Sequence, residues 1–341
     1  MNRILDIGRK KINEVLSTLS KNADFQRILY VSDNVVDILY GNDVLNQLKE
    51  IGAIIKEFVD NNTISYAMDI AKMIFDKNID CIVALGGGKV LDVCKFASYV
   101  SKTPILSIPT TAANDGVASP IAVLKDTIGK PKSIGCAVPD MILIDLDIIC
   151  KCPEILIKAG IGDTISNYMA LKDWSIACQE GKDTMNGYAY MMSKNSIDVM
   201  MNSHYDSICP EFVESLVDSL VLSGIAMDFA GSSRPVSGSE HLFSHALDYY
   251  NNKNNLHGLQ VALGTIAMLK IIGEDYSEVL GLLNRFKVDV NPINLGISKE
   301  LFILSFQNAK KMRENRYTYL NKIDLETDML KRVYNELTEE L

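Results

Sequence analysis

Short apolar runs alternate with helix-like periodic segments over the first 150 residues. The runs that predict strands are 27–33, 53–59, 81–85 and 104–109, and the segments between them with helical spacing are 36–50, 64–77 and 90–101. Two further apolar stretches, 119–124 and 133–146, predict a hairpin and another strand. Because strands that alternate with helices at this spacing pair in parallel, the pattern predicts an α/β domain with a parallel sheet over residues 1–150.

The character of the chain changes near residue 150, where strand-like runs disappear. Helical periodicity marks the segments 154–180, 185–202, 211–230, 239–250, 256–273, 277–286 and 299–313. We therefore predict a second, all-helical domain over residues 151–341. Ligand sites favour domain interfaces and the carboxyl ends of parallel strands, so we expect the active cleft where the two domains meet.

Charge and composition narrow the class of protein. The 341 residues carry a net charge of −9, and Lys and Arg are scattered, which argues against a nucleic-acid groove or an anionic membrane surface as the main partner. The amino terminus is amphipathic and charged, and no window approaches the ~20 apolar residues of a membrane span. The seven cysteines form an odd set without zinc-site spacing and are expected to be reduced. We expect a cytoplasmic homo-oligomer that acts on a small molecule.

A glycine triplet gives the first chemical indication. Gly86, Gly87 and Gly88 follow the apolar strand at 81–85 and precede a helix. Glycines let the backbone approach a phosphate, and the free N–H groups of a helix start interact with its negative charge. The segment matches neither GxGxxG nor a Walker loop, and a tight turn is the alternative interpretation.

A polar loop follows the next predicted strand. It contributes Thr110, Thr111, Asn114, Asp115 and Ser119. Such a loop at the same sheet edge indicates a ligand-lined rim, although a solvated turn has a similar composition. Asp33, at the end of the first predicted strand, is placed to accept hydrogen bonds from an adenine ribose. That role would favour NAD over NADP, and an ordinary residue after a strand is the alternative.

Three of the four histidines lie between residues 241 and 257. Ser237 and Glu240 predict a capping box that opens a helix, with His241 in its first turn. His245 then lies one turn later on the same face, and His257 opens the next helix after a loop of Asn and Lys.

Two imidazoles and one carboxylate, with an open coordination position, suit a catalytic divalent metal such as zinc. The best upstream carboxylate is Asp163, at the predicted start of the first long helix and near Gly160 and Gly162. Nickel or iron could occupy the same ligands. The alternative is that each histidine is a separate surface or capping residue.

At these positions the sequence resembles a known family. The motifs GGGK(x)2D, PTTAANDG(x)2SP, GIGD, SRPVSGSEH(x)3H and the later HG are similar to those of sn-glycerol-1-phosphate dehydrogenases, in consistent order from about residue 27 to 265. The superfamily also contains glycerol dehydrogenase, iron-type alcohol dehydrogenases and 3-dehydroquinate synthase. The resemblance implies a Rossmann-like domain followed by a helical domain, the dehydroquinate-synthase-like fold. It also implies metal-dependent, NAD(P)H-linked interconversion of dihydroxyacetone phosphate and sn-glycerol 1-phosphate.

The resemblance also implies roles for individual residues. By the resemblance, the cofactor is contacted by Gly87, Gly88, Lys89 and Asp92, with Thr110, Thr111 and Ser119 beside them. Gly86 and Asp33 are further candidates for cofactor contacts, from the sequence patterns described above. Zinc ligation falls to Asp163, His241 and His257. His245 would face the substrate as a proton relay, and Asp115 would contact the substrate. We therefore expect His245, Asp115 and Asp163 to act in catalysis and to lie at the substrate.

Arg234, just before the predicted metal helix, bears on the substrate. Its guanidinium matches a phosphate with paired donors, which favours glycerol 1-phosphate over free glycerol, although an ordinary surface arginine is the alternative. The segment VSDNVVDILYG looks more like glycerol dehydrogenase and leaves the preference between NAD and NADP open. Glycerol dehydrogenase, a dehydroquinate-synthase-like lyase and a non-catalytic paralogue are the competing interpretations.

Overall fold

The computed structural model describes residues 3–251 and 255–339. Contacts divide the chain into two compact units. The first, the α/β unit, comprises residues 1–112 and 116–153, and the second, the helical unit, comprises residues 113–115 and 154–341. Part of the Asn- and Lys-containing loop predicted before His257, residues 252–254, lies outside the described residues.

The α/β unit contains a six-stranded parallel sheet and a separate hairpin. Its strands are β1 (Ile4–Gly8), β2 (Arg27–Ser32), β3 (Ala53–Phe58), β4 (Cys81–Gly86), β5 (Ile105–Pro109), β6 (Ile121–Lys125), β7 (Pro131–Gly135) and β8 (Met141–Asp145). The sheet order is β1-β8-β5-β4-β2-β3, and β6 pairs with β7 antiparallel. Its helices are α1 (Val15–Ser20), α2 (Asn34–Val36), α3 (Asn42–Leu48), α4 (Ile64–Asp76), α5 (Gly88–Ser101) and α6 (Leu146–Ile149).

Burial on both faces of the sheet explains its sequence pattern. Alternate residues of β4 enter two different hydrophobic clusters: Ile82 packs with residues of α4 and α5, and Val83 packs with residues of α1 and α3. A strand covered on both faces is apolar at every position, which is why 81–85 is a continuous apolar run. The predicted parallel α/β fold is confirmed.

Two local features of this unit differ from the sequence-based expectation. The amino-terminal segment, interpreted only as amphipathic and charged, contains β1, which pairs in parallel with β8 from Ile4 opposite Met141 to Gly8 opposite Asp145. The single helix expected over 36–50 is instead α2, a π-helical turn at Asp37–Gly41, and α3.

The helical unit contains eight long helices among its described residues. They are α7 (Glu154–Gln179), α8 (Gly187–Met201), α9 (Pro210–Ala230), α10 (Ser239–Tyr250), α11 (His257–Ile272), α12 (Ser277–Arg285), α13 (Lys299–Ala309) and α14 (Thr327–Glu339). The predicted all-helical character is confirmed, and α14, which buries Leu330, Val333, Tyr334 and Leu337, was not predicted. Within the described ranges, no helix is long and apolar enough to cross a membrane.

Helices α7 and α11 pack with their backbones in close contact. A Cβ atom on Gly162 would lie 2.2 Å from the carbonyl oxygen of Gly258, and one on Gly258 would lie 1.8 Å from that of Ala159. Only glycine permits such an approach. The contact brings Asp163, the neighbour of Gly162, next to His257, the neighbour of Gly258.

Candidate active site

Three predicted ligands meet inside the helical unit. One ligand atom each from Asp163, His241 and His257 lies within 4.8 Å of the other two. Nε2 of His257 lies 3.7 Å from Oδ1 of Asp163. His241 and His257 lie at the starts of α10 and α11, as predicted. Asp163 lies well inside α7, which begins at Glu154, so its predicted place at a helix start is wrong.

Hydrogen bonds hold each imidazole by its other nitrogen. Nδ1 of His241 lies 2.7 Å from Oε1 of Glu240. Nδ1 of His257 lies 3.1 Å from the hydroxyl of Ser244, which donates its proton to Oε1 of Gln260 at 2.6 Å. Because that hydroxyl proton is already used, Nδ1 of His257 is the donor to Ser244. The lone pair of His257 is therefore on Nε2, the nitrogen that faces Asp163.

The electrostatics of the cluster suit a cation. Desolvation lowers the pKa of His241 and of His257 to about 3, so both imidazoles are neutral at physiological pH. Desolvation, followed by the charge of Asp115, raises the pKa of Asp163 well above its usual range. In the described part of the chain, no Lys or Arg lies within 4.0 Å of the Asp163 carboxylate. Neutral imidazoles and such a desolvated carboxylate form a donor set that fits a divalent metal.

The predicted capping box is wrong at Ser237. Gly238 is the N-cap of α10, and the hydroxyl of Ser237 is buried without a hydrogen-bond partner in the described part of the chain. Glu240 supplies the other half of the motif, because its Oε1 accepts from the Gly238 N–H at 2.7 Å. The same oxygen lies 2.7 Å from Nδ1 of His241. Glu240 therefore orients a candidate metal ligand and does not form a capping box with Ser237.

Two predicted substrate contacts lie beside the cluster. The ring of His245 is 6.3 Å from that of His241 and 6.5 Å from that of His257, between centroids. Desolvation, and then the charge of Arg313, lowers the pKa of His245 well below its usual range. The backbone N–H of Asp115 donates to Oδ2 of Asp163 at 2.9 Å. The structure thus brings His245 and Asp115 together with the three candidate ligands.

The glycine triplet forms the turn between β4 and α5. Gly87 is the N-cap of α5 in an extended conformation, and no side chain caps this helix. A Cβ atom on Gly88 would meet nothing within 4 Å, whereas one on Gly86 would lie 2.7 Å from Val90. The side chain of Lys89 reaches the Asp60 carbonyl oxygen at 3.5 Å. The uncapped N–H groups of α5 are open to an anion, as the phosphate-loop prediction requires.

Residues near this loop have internal partners. Asp92 forms a 3.0 Å ion pair with Lys95, a buried lysine that sequence reasoning missed and that also donates to the carbonyls of Gly116 and Ile121 at 3.1 and 2.5 Å. Desolvation raises the pKa of Asp92. Ser119 is buried, with its hydroxyl 3.4 Å from the Ile121 carbonyl oxygen. The cofactor roles of Asp92 and Ser119 stay predictions.

The two threonines follow β5 and Asp33 follows β2, two strands that are separated in the sheet by β4. Thr110 is buried, and its N–H donates to the Gly86 carbonyl at 3.0 Å. The hydroxyl of Thr111 would lie 3.6 Å from a Cβ atom on Gly87. Asp33 caps α2, with one carboxylate oxygen accepting from the N–H groups of Val35 and Val36, both at 2.9 Å. This cap accounts for Asp33 structurally, and its contact with ribose stays a prediction.

Arg234 is buried and held by the protein itself. Its Nε donates to Oδ2 of Asp183 at 2.5 Å, and its Nη1 donates to the Tyr317 carbonyl oxygen at 2.6 Å. Sequence reasoning overlooked two other arginines, Arg313 and Arg316, whose charges lower the pKa of His241 after the effect of burial. Both follow α13, in a part of the sequence from which no site was predicted.

Comparison with known proteins gives relatives along almost the whole chain. The sequence profile of the iron-containing alcohol dehydrogenases matches residues 6–153. The chain is 34% identical over 328 residues to the glycerol-1-phosphate dehydrogenase (NAD(P)+) of Pyrococcus furiosus, covering 96% of this chain and 94% of that protein. It is 36% identical over 330 residues to the protein of the same name from Archaeoglobus fulgidus, covering 93% and 92%.

Solved structures agree on the fold. The structure of a probable glycerol dehydrogenase from Sinorhizobium meliloti has a TM-score of 0.81 at 18% identity, covering 99% of this chain and 97% of that one. The NADH-dependent butanol dehydrogenase of Thermotoga maritima has a TM-score of 0.70 at 16% identity, covering 99% and 97%. Likenesses at this identity establish the fold and leave the substrate to the chemistry of the site.

Proposed function

We propose that this chain, which belongs to the glycerol-1-phosphate dehydrogenase family, interconverts dihydroxyacetone phosphate and sn-glycerol 1-phosphate with NADH or NADPH. The observation that carries the proposal is the cluster of Asp163, His241 and His257, in which both imidazoles are held by Nδ1 and are neutral. The names of relatives that match over more than nine-tenths of the chain support the same reaction.

We assign the metal to Asp163, His241 and His257, with zinc as the first candidate and nickel or iron as chemically suited alternatives. When bound, it would supply the positive charge that stabilises negative charge on the substrate oxygen. Glu240 and Ser244 keep the two imidazoles oriented, and the Asp115 N–H holds the second oxygen of Asp163. These hydrogen bonds preorganise the donors without involving the substrate.

His245 handles the proton of the reaction. It lies one turn beyond His241 on α10, and its imidazole is neutral because desolvation lowers its pKa. A neutral imidazole can accept a proton from the substrate hydroxyl in oxidation and return it to the oxygen in reduction. We assign Asp115 to contact with the substrate, because its backbone N–H donates to Oδ2 of Asp163 beside the cluster.

The nicotinamide cofactor supplies and accepts the hydride. We assign its pyrophosphate to the open N-terminus of α5 at Gly87 and Gly88, where N–H groups lack a side-chain cap. Asp33, Lys89 and Asp92 remain candidates for further contacts. Rates with NADH and with NADPH would establish the preference between the two.

The decisive experiment measures NADH and NADPH oxidation with dihydroxyacetone phosphate and with free dihydroxyacetone, before and after removal of metal. We expect the phosphorylated substrate to be preferred, a chelator to abolish activity, and one of zinc, nickel or iron to restore it. The Asp163→Asn variant should lose activity, whereas a change at the exposed His204 to Ala should not. Equal use of the free triose, or of glycerol in the reverse direction, would instead indicate a glycerol dehydrogenase. No oxidation with either triose would overturn the assignment.

The remaining expectations concern assembly and location. We propose that the protein is a cytoplasmic homo-oligomer. We also propose that it binds neither nucleic acid nor membranes, because the cationic side chains are scattered along a chain of net charge −9. Light scattering of the purified protein at several concentrations would establish the oligomeric state.

A further inference from the structure

Two arginines of the helical unit converge on a single hydroxyl group. Nη1 of Arg313 donates to Oγ of Ser233 at 2.9 Å, and Nη2 of Arg316 donates to the same oxygen at 3.0 Å. Arg316 also donates from Nη1 to the carbonyl of Ser237. The guanidinium groups are therefore brought side by side at the segment that precedes α10, the helix that carries His241.

The protein offsets only part of the positive charge at this point, through the longer-range charges of Glu240 and Asp183, which act to raise the pKa of Arg316. Among residues 3–251 and 255–339, neither Arg313 nor Arg316 has a carboxylate oxygen within 4.0 Å, whereas Arg234 is paired with Asp183. Arg316 is only 9% exposed. Burial, and then the charges of Arg313 and Arg234, lowers the pKa of Arg316 to about 9. Like charges buried together cost free energy, so an anion bound between them would be favoured.

The cationic pair lies close enough to influence the histidines. The charges of Arg313 and Arg316 both contribute to the lowered pKa of His241 and of His245, after the larger effect of desolvation. A positive potential thus extends from the arginines to the cluster within one compact unit. A ligand that carries an anion at one end and a hydroxyl or carbonyl oxygen at the other would match this distribution of charge.

We propose that Arg313, Arg316 and the hydroxyl of Ser233 bind the phosphate group of the substrate. A phosphate monoester is a dianion whose oxygens can each accept from planar guanidinium groups, so it balances two arginines where a carboxylate balances one. This inference rests on the proposed function and assigns the recognition of the phosphorylated triose to residues other than Arg234. Arg234, tied to Asp183 and Tyr317, holds the neighbouring backbone in place.

The test compares phosphorylated and free substrate in three variants. They are Arg313→Gln, Arg316→Gln and, as a matched control, Arg285→Gln, which alters an exposed arginine at the end of α12. We expect either site variant to lower kcat/KM for dihydroxyacetone phosphate by about 30- to 100-fold, the loss of one charge-assisted pair of hydrogen bonds. The kcat/KM for free dihydroxyacetone should change less than about threefold. The control should match the wild type with both substrates.

Further measurements distinguish the phosphate of the substrate from that of NADPH, and substrate binding from a purely structural role of the arginines. If the KM values for NADH and NADPH are unchanged in the site variants, the result supports a substrate site. A rise in the KM for NADPH alone would show that the arginines bind the cofactor and would overturn the proposal. Equal losses on both trioses would also overturn it, since a purely structural role affects the two alike. Arg316→Lys, which keeps the buried charge but not the planar pair of donors, should fold normally and still discriminate poorly.

Direct binding distinguishes this inference from the proposed reaction. Inorganic phosphate should raise the melting temperature of the wild-type protein and of Arg285→Gln, and should do so much less with Arg313→Gln. If the wild type does not reduce dihydroxyacetone phosphate but shows this arginine-dependent binding, the reaction assignment fails and the anion site stands. If phosphate affects wild type and Arg313→Gln alike, the anion site fails whatever the reaction is.

Discussion

Gly258 lies directly against Ala159, so that a Cβ atom on the glycine would stand 1.8 Å from the alanine carbonyl oxygen. The contact joins α11 to α7 one residue away from His257. The position of one candidate metal ligand is thus fixed by the absence of a side chain in the residue that follows it.

Replacing Gly258 by alanine should therefore damage both the fold and the site. The obstacle is backbone rather than a flexible side chain, so we expect a loss of about 3 kcal/mol or more in the free energy of unfolding, together with loss of metal binding. Urea unfolding and metal analysis measure the two effects. Gly281→Ala is the matched control, because a Cβ atom there meets nothing within 4 Å in helix α12. It should be neutral or stabilising by up to about 1 kcal/mol.

Ser244→Ala should weaken metal binding while the fold persists. The change removes the acceptor that keeps the proton of His257 on Nδ1, and loss of such partners costs about 10- to 100-fold in metal affinity. Competition with a chelator measures the affinity. Ser305→Ala removes another buried hydroxyl, one without a hydrogen-bond partner in the described structure, and should leave affinity unchanged. Equal affinities in the two variants would contradict the role given to Ser244.

His245→Ala should separate metal binding from turnover. His245 lies outside the three-ligand set, so we expect the variant to retain its metal and to lose kcat by about 10²- to 10⁴-fold, the usual contribution of a positioned acid–base group. Metal content and steady-state kinetics are measured on the same preparation. Near-normal turnover would show that another group moves the proton.

Gly88→Ala should weaken cofactor binding and little else. A methyl group there points into open space in the free protein, but it would occupy the place where the backbone approaches a phosphate. We expect the Kd for NADH to rise about tenfold or more, which corresponds to roughly 1.4 kcal/mol. Gly187→Ala, also at the first position of a helix with open space beyond it, is the control and should bind NADH normally.

Asp173→Asn should change how stability depends on pH. Burial raises the pKa of Asp173 and of Glu240 to about 7, from the usual value near 4. Between about pH 4 and pH 7 the folded protein then holds protons that the unfolded chain has released, so stability falls as pH rises through this window, by up to about 1.4 kcal/mol per pH unit for each group. The variant lacks one of these groups, so its stability should fall less over the same pH range.

Urea unfolding of metal-free protein at about pH 5, 6 and 7 measures the difference between wild type and Asp173→Asn. The variant should gain stability relative to the wild type at each step upward in pH. The exposed Asp206→Asn should follow the wild type throughout. A constant difference between Asp173→Asn and wild type would show that no proton is held at this position.

Features that depend on local sequence could be predicted, whereas features that depend on contacts between residues far apart in the sequence could not. Strand β4 was recognised because burial on both faces leaves a continuous apolar run. Strand β1 has five residues at the sheet edge, only partly buried, and it becomes a strand by pairing with β8. An S-x-x-E motif predicted a serine cap, but Gly238 occupies the N-cap position and Glu240 orients His241 instead.

The same division holds at the site. Asp163, His241 and His257 could be brought together from motifs and from the rarity of histidine in the chain. Arg313 and Arg316 could not, because their importance comes from meeting Ser233 across 80 and 83 residues of sequence. Arg234 was predicted to bind a phosphate only because it precedes the histidine motif in the sequence. In the structure its guanidinium donates to Asp183 and to the carbonyl of Tyr317.

The pairing of β1 with β8 has a consequence for how the protein is made. Met141, the partner of Ile4, is synthesised 137 residues after it (141 − 4). At about 5 to 20 residues per second, the first strand waits roughly 7 to 27 s before it can be paired. Until β8 is made, β1 has no partner strand and β5 lacks the neighbour on its β8 side, so both expose backbone groups that a chaperone could cover. Cotranslational folding of this chain should therefore finish its sheet only as the first residues of α7 emerge.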